Sequence, residues 1–139
     1  MTKPLMIGDL GRRTGTKVNT IRFYEEVGLL PEPARTASGR RTYGEDDLRR
    51  LAFIRHARSL GFGTDMIRSL LDLGEQPERG CGEARAIAVH HLAEVDMRIR
   101  RLEALRTELE RIVSECEGQR RIADCGILEA LGEPRSSAP

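Results

Sequence analysis

Ile7-Gly8-Asp9-Leu10-Gly11-Arg12-Arg13-Thr14-Gly15-Thr16-Lys17-Val18-Asn19-Thr20-Ile21-Arg22-Phe23-Tyr24-Glu25-Glu26-Val27-Gly28-Leu29-Leu30-Pro31 is two short amphipathic stretches around a glycine-containing turn. The first, Ile7 to Arg13, stops at Thr14-Gly15-Thr16. The second, Lys17 to Val27, stops at Gly28, a natural end for a helix. Two short helices joined by three or four residues including Gly predict a helix-turn-helix. Pro31 and Pro33 then exclude helix.

Working outward, Thr36-Ala37-Ser38-Gly39 lies between extendable flanks that carry Arg35, Arg40, Arg41 and Tyr43. Turn residues between such flanks predict a β-ribbon, a wing with projecting arginines. Glu45-Asp46-Asp47 places three acids in the first turn of the next helix, where the macrodipole favours them. Leu48, Leu51, Phe53 and Ile54 supply its apolar stripe as far as about Leu60. After Gly61-Phe62-Gly63, Thr64 is expected to cap a helix in which Met66 to Leu73 packs back. Beyond Gly82 neither Pro nor Gly occurs before Gly118, which predicts one helix from Gly82 to about Cys116, roughly 50 Å long. Gly126 to Leu131 is at most a short helix.

Composition narrows the classes. The chain has 139 residues, 39% apolar and 32% charged, with three Phe, two Tyr and no Trp, which favours helices over a sandwich. The net charge of +1 is unevenly spread. Arg12 to Arg58 holds 11 basic and 6 acidic residues, whereas Gln76 onward holds 10 basic and 12 acidic. A basic front points mildly to phosphate backbones. No apolar run approaches the roughly 18 to 20 residues of a membrane span, and Met1 to Gly8 lacks the features of a signal peptide. A cytoplasmic location with reduced thiols and no membrane partner is the expectation. No paired acid and base, phosphate-cradling loop or activated nucleophile is visible, so an enzyme is not expected.

The long helix cannot bury its own stripe. Ala88, Leu92, Val95, Leu102, Leu105 and Leu109 follow steps of 4, 3, 7, 3 and 4, a pattern that reads the same from either end. Two copies packed antiparallel about a two-fold axis would oppose Ala88 to Leu109, Leu92 to Leu105 and Val95 to Leu102. The same axis would bring Cys81 of one chain towards Cys116 of the other. A monomer whose helix folds back on its own head is the alternative.

Three cysteines, Cys81, Cys116 and Cys125, are the thiols available as soft ligands, and nothing else is obviously one. Cys116 and Cys125 are nine residues apart around Gly118, which lets a loop bring both sulfurs to one ion. Three thiolates suit mercury, lead or cadmium; zinc prefers four ligands and would need Glu117, Asp124 or water. Cys116 and Cys125 as plain buried hydrophobes fit the spacing as well as a metal site does.

Thr20 to Pro31 resembles the second helix and its exit in the MerR family of regulators. Arg40-Arg41-Thr42-Tyr43 before an acid-opened helix resembles the family's first wing, and Phe53 to Phe62 its second. The resemblance implies an all-α fold with a small β-ribbon wing: a winged helix-turn-helix head over residues 1–75, a hinge and long antiparallel coiled-coil dimerisation helix over 76–116, a metal-binding loop and short helix over 117–131, and a flexible tail over 132–139. It implies a homodimer on double-stranded promoter DNA. Lys17, Val18 and Asn19 would enter the major groove, while Arg22, Tyr24, Arg40, Arg41, Tyr43 and Arg58 would hold phosphates. It also implies that Cys81, Cys116 and Cys125 bind a divalent ion (mercury, lead or cadmium before zinc), and that the metal-bound dimer distorts the promoter for RNA polymerase. A thiol-based redox regulator on the same scaffold is the other reading. Neither the inducing metal nor the operator is legible.

Overall fold

The computed structural model describes residues 4–132. The element order is α1 (Ile7–Thr14), α2 (Val18–Glu26), β1 (Ala34–Arg35), β2 (Arg41–Thr42), α3 (Glu45–Ser59), α4 (Thr64–Gly74), α5 (Gly82–Ser114), a 3-10 turn (Ile122–Asp124) and α6 (Gly126–Gly132). The mostly helical architecture with one small ribbon agrees with the sequence reading. The flexible tail expected over 132–139 lies outside the described residues, except that Gly132 closes α6.

The helix-turn-helix is set by two glycines with different duties. Gly15 ends α1 in the left-handed region at φ 67°, where a Cβ would be strained. Gly11 is needed for space: a Cβ there would stand 2.7 Å from the backbone oxygen of Thr16. The Thr16 N–H donates to that same Gly11's carbonyl at 2.9 Å, which closes the turn.

The wing is a two-stranded antiparallel ribbon with Ala34 opposite Thr42 and Arg35 opposite Arg41. An additional bridge, absent from the sequence reading, pairs Leu5 with Tyr43 and ties the start of the chain to the end of the wing. The acids of α3 do more than face a dipole, because Asp47 Oδ2 accepts the Gly44 N–H at 2.9 Å. Asp9 does the same for Met6 at the start of α1, at 3.1 Å.

Leu10, Ile21, Leu29, Leu51, Ile54 and Ile67 are completely buried and form the centre of the head. Each such side chain contributes roughly 1.5–3 kcal/mol of burial. Phe53 does not join them. It is 44% exposed, because Leu51 and Ile54 define the inward stripe of α3 and the residue between them points elsewhere. Thr64 is likewise not a cap: the N-cap of α4 is Gly63, and no side chain caps it.

Three arginines tie α3 and α4 to the helix-turn-helix through its carbonyl groups. Arg50 Nε donates to the Leu29 carbonyl at 2.6 Å, Arg55 to that of Gly15 and Arg68 to that of Val27. These carbonyls terminate helices and turns, so they lack intrahelical partners and need donors.

Contacts divide the chain into one compact unit through Ile87 and a second from Ala88 onward. In the second unit Leu92, Leu102, Leu105 and Leu109 are 50–63% exposed, so the palindromic stripe of α5 is left uncovered within one chain. No helix among the described residues is long and apolar enough to cross a membrane.

Candidate nucleic-acid interface and thiol pair

Along α2 the helical period separates two faces. Ile21 and Tyr24 point inward, whereas Lys17, Asn19 and Arg22 are exposed and Val18 is half-buried at the first turn. The residues expected to read a groove are therefore at the surface, at the N-terminal end of the helix.

Arg22 does not stand alone. It lines a recess with Met6, Ile7, Arg35, Gly39, Arg40 and Arg41, which gathers four guanidinium groups from α2 and the wing. Arg35 was not among the expected phosphate contacts. The ribbon's register is the signal that finds it, since Arg35 faces Arg41 directly across the strands. Like charges in that position destabilise a ribbon unless an anion or counter-charge lies between or beside them. The Arg35 guanidinium donates to the Gly39 carbonyl at 2.7 Å, which holds it over the turn.

The two tyrosines are more buried than the arginines around them. Tyr24 is 7% and Tyr43 4% exposed, and both rings belong to the head's hydrophobic core. Any contact of Tyr24 with DNA is thus confined to its tip. The Tyr43 hydroxyl donates to Glu25 Oε1 at 2.5 Å. Burial first, then the hydrogen bond and charge of Glu25, push its pKa well above the ordinary tyrosine range. Arg58 remains exposed on α3, with one nitrogen donating to the Phe62 carbonyl at 3.1 Å.

The cysteines are free thiols in two settings. Cys81 is exposed and immediately precedes α5, its carbonyl accepting the Arg85 N–H at 3.0 Å. Cys116 and Cys125 are half-buried and come together just past the far end of α5. Gly126 makes this return possible: a Cβ there would lie 2.5 Å from the Glu115 carbonyl oxygen and 2.8 Å from the Glu115 Cβ. The Gly118 N–H donates to Cys116 Sγ at 3.4 Å. The backbone N–H of Leu128, and then those of Ile127 and the Cys116 thiol, lower the Cys125 pKa against opposing burial. Two adjacent sulfurs, each facing N–H donors, are suited to bind a thiophilic ion as thiolates. Among the described residues of one chain, no group of three or more Cys, His, Asp or Glu side chains is gathered for a metal.

Comparison with known proteins follows these features closely. The family described as MerR HTH family regulatory protein matches residues 5–73, and the one described as MerR, DNA binding matches residues 48–112. The HTH-type transcriptional regulator HmrR of Rhizobium leguminosarum bv. viciae is 41% identical over 127 residues, covering 91% of this chain and 97% of the relative. The HTH-type transcriptional regulator ZntR of Escherichia coli K12 is 40% identical over 132 residues, 94% of each. Among solved structures, the transcription regulator PbrR691 from Ralstonia metallidurans in complex with lead(II) is 44% identical, with a TM-score of 0.81 over 91% of this chain and 98% of that one.

Proposed function

We propose, because this chain belongs to the MerR family of helix-turn-helix regulators, that it is a metal-responsive transcriptional regulator in which two chains share each ion. The Cys116–Cys125 pair carries this reading: two thiols gathered against backbone donors, with the third cysteine at the opposite end of a 33-residue helix. The uncovered palindromic stripe supplies the geometry. An antiparallel second copy would cover Leu92, Leu102, Leu105 and Leu109 and present its Cys81 to this chain's pair. That completes a three-thiolate site for a soft divalent ion, with mercury, lead and cadmium ahead of zinc. The lead(II) complex of PbrR691 supports the choice of ion class.

At the other end, each head presents Lys17, Val18 and Asn19 to a major groove, while the Arg22, Arg35, Arg40 and Arg41 recess holds a phosphate and Arg58 a second. Metal closure joins a residue before α5 in one chain to the loop after α5 in the other. It therefore biases how the two long helices lie and how far apart the heads are held. The work of distorting a promoter for RNA polymerase comes from the difference in metal affinity between the two arrangements.

Titration of the reduced protein with mercury(II), lead(II), cadmium(II), zinc(II) and copper(I), followed by thiolate-to-metal absorption, tests this. One divalent ion per three thiols, lost in Cys81→Ser, is expected. Native binding by Cys81→Ser, or no tight binding of any ion, overturns the shared site; in the second case a disulfide formed with diamide is the measurement that distinguishes a redox regulator.

A further inference from the structure

Glu25 is not among the residues assigned above to DNA or metal contact, yet it occupies a singular place. Its carboxylate is only 9% exposed, on the helix that carries the reading face. One oxygen accepts the Tyr43 hydroxyl, and the other lies 3.3 Å from Arg41 Nε. Tyr43 and Arg41 flank Thr42 in the second strand of the wing, and Tyr43 is also the residue whose backbone exchanges hydrogen bonds with Leu5 at 2.8 and 2.9 Å. A single carboxylate therefore grips the wing at two adjacent side chains from α2.

The two contacts differ in kind. The tyrosine bond is short and directional, and it fixes distance. The Arg41 contact is electrostatic: its Nε is buried without an aligned hydrogen-bond partner. Arg41 also lines the recess with Arg22, Arg35 and Arg40. Glu25 is thus the counter-charge beside the like-charged pair Arg35 and Arg41, and it sets how much of Arg41's charge is available to a phosphate.

We propose that Glu25 is a positioning residue for DNA recognition, one that holds the wing at a fixed offset from α2 and partly neutralises the arginine recess. Acting through Tyr43 and Arg41, it restrains non-specific affinity and sharpens preference for the operator. This rests on the assignment of the recess as a phosphate grip. The consequence is unusual in sign: removing this side chain's charge leaves random DNA bound as tightly or more tightly, while selectivity falls.

The test uses the full-length protein and two duplexes, a random one and one selected by the native protein from a randomised library. Glu25→Gln keeps an acceptor for Tyr43 but removes the charge. On random duplex its affinity should be no lower than native, and the slope of log K against log salt should steepen by about 0.9, the value for one more phosphate contact. Its preference for the selected duplex should fall about tenfold. In an Arg41→Gln background, Glu25→Gln should change the salt slope no further. Tyr43→Phe should lose preference without any change in slope, and it tests the positioning half of the proposal should Glu25→Gln fail to fold. An unchanged slope and preference in Glu25→Gln overturn the proposal. Equal losses on both duplexes that add independently to those of Arg41→Gln, or native preference in Tyr43→Phe, also overturn it. If Arg22→Ala leaves both affinities native, the phosphate grip itself fails, a result distinct from failure of the Glu25 role.

Discussion

Gly126→Ala is a one-methyl change in the turn that brings Cys125 back to Cys116. The added carbon would sit 2.5 Å from the Glu115 carbonyl oxygen and 2.8 Å from the Glu115 Cβ. Comfortable separations of non-bonded atoms are about 3.5 Å or more, so relief requires about 1 Å of movement between the end of α5 and the start of α6. The obstacle is backbone, which does not rotate aside. Overpacking of this kind costs about 1–3 kcal/mol. The displaced residue is the immediate neighbour of Cys125, and metal sites tolerate only about 0.2 Å in ligand distance. If the whole cost falls on the metal-binding arrangement, affinity drops by about five- to 150-fold. Competition with a chelator for lead(II) and cadmium(II) measures this, with metal-free DNA affinity as the control for the head. Gly132→Ala, in the same helix but with nothing within 4 Å of its Cβ, should stay native. Native metal affinity in Gly126→Ala would refute the claim that this close approach sets the thiol pair.

Three further outcomes follow from features of the head and of α5. Ile54→Ala removes a completely buried side chain from the centre of the head and should destabilise it by about 2–5 kcal/mol, read from chemical denaturation. Leu105→Glu places a charge in the uncovered stripe, where Leu105 is 53% exposed in one chain; sedimentation should show monomers while the head's own melting is unchanged, and a persisting dimer would exclude this register. If the recess grips a phosphate as proposed, Arg22→Ala should weaken binding to selected and random duplex alike and flatten the salt slope by about 0.9.

Most of the fold is written locally. Gly15 and Gly28 mark where α1 and α2 stop, Glu45-Asp46-Asp47 marks where α3 starts, and the run without Pro or Gly defines α5 to within two residues of Cys116. What escaped the sequence depends on three-dimensional neighbours. Phe53 was assigned to the core because apolar identity alone does not say which way a residue between Leu51 and Ile54 points. The bond from Tyr43 to Glu25 is not legible in the sequence because the two lie 18 residues apart. A charge count over Arg12 to Arg58 treats its arginines alike, although Arg50 and Arg55 spend donors on carbonyl groups of the head. The nine-residue spacing of Cys116 and Cys125 allows a loop to bring both sulfurs together, and the two do meet. The placement of Cys81 rests on symmetry, which one chain does not contain.

Those carbonyl ties also bear on how the recognition unit can be exchanged between proteins. The turn after α1, the end of α2 and the approach to the wing are each held by an arginine from a later helix, and Ile67 and Leu71 of α4 complete the core beneath them. A graft of the first 44 residues would keep the Glu25 and Leu5 ties to Tyr43 but lose all three arginine ties. The smallest piece that keeps these ties and this core together runs through α4.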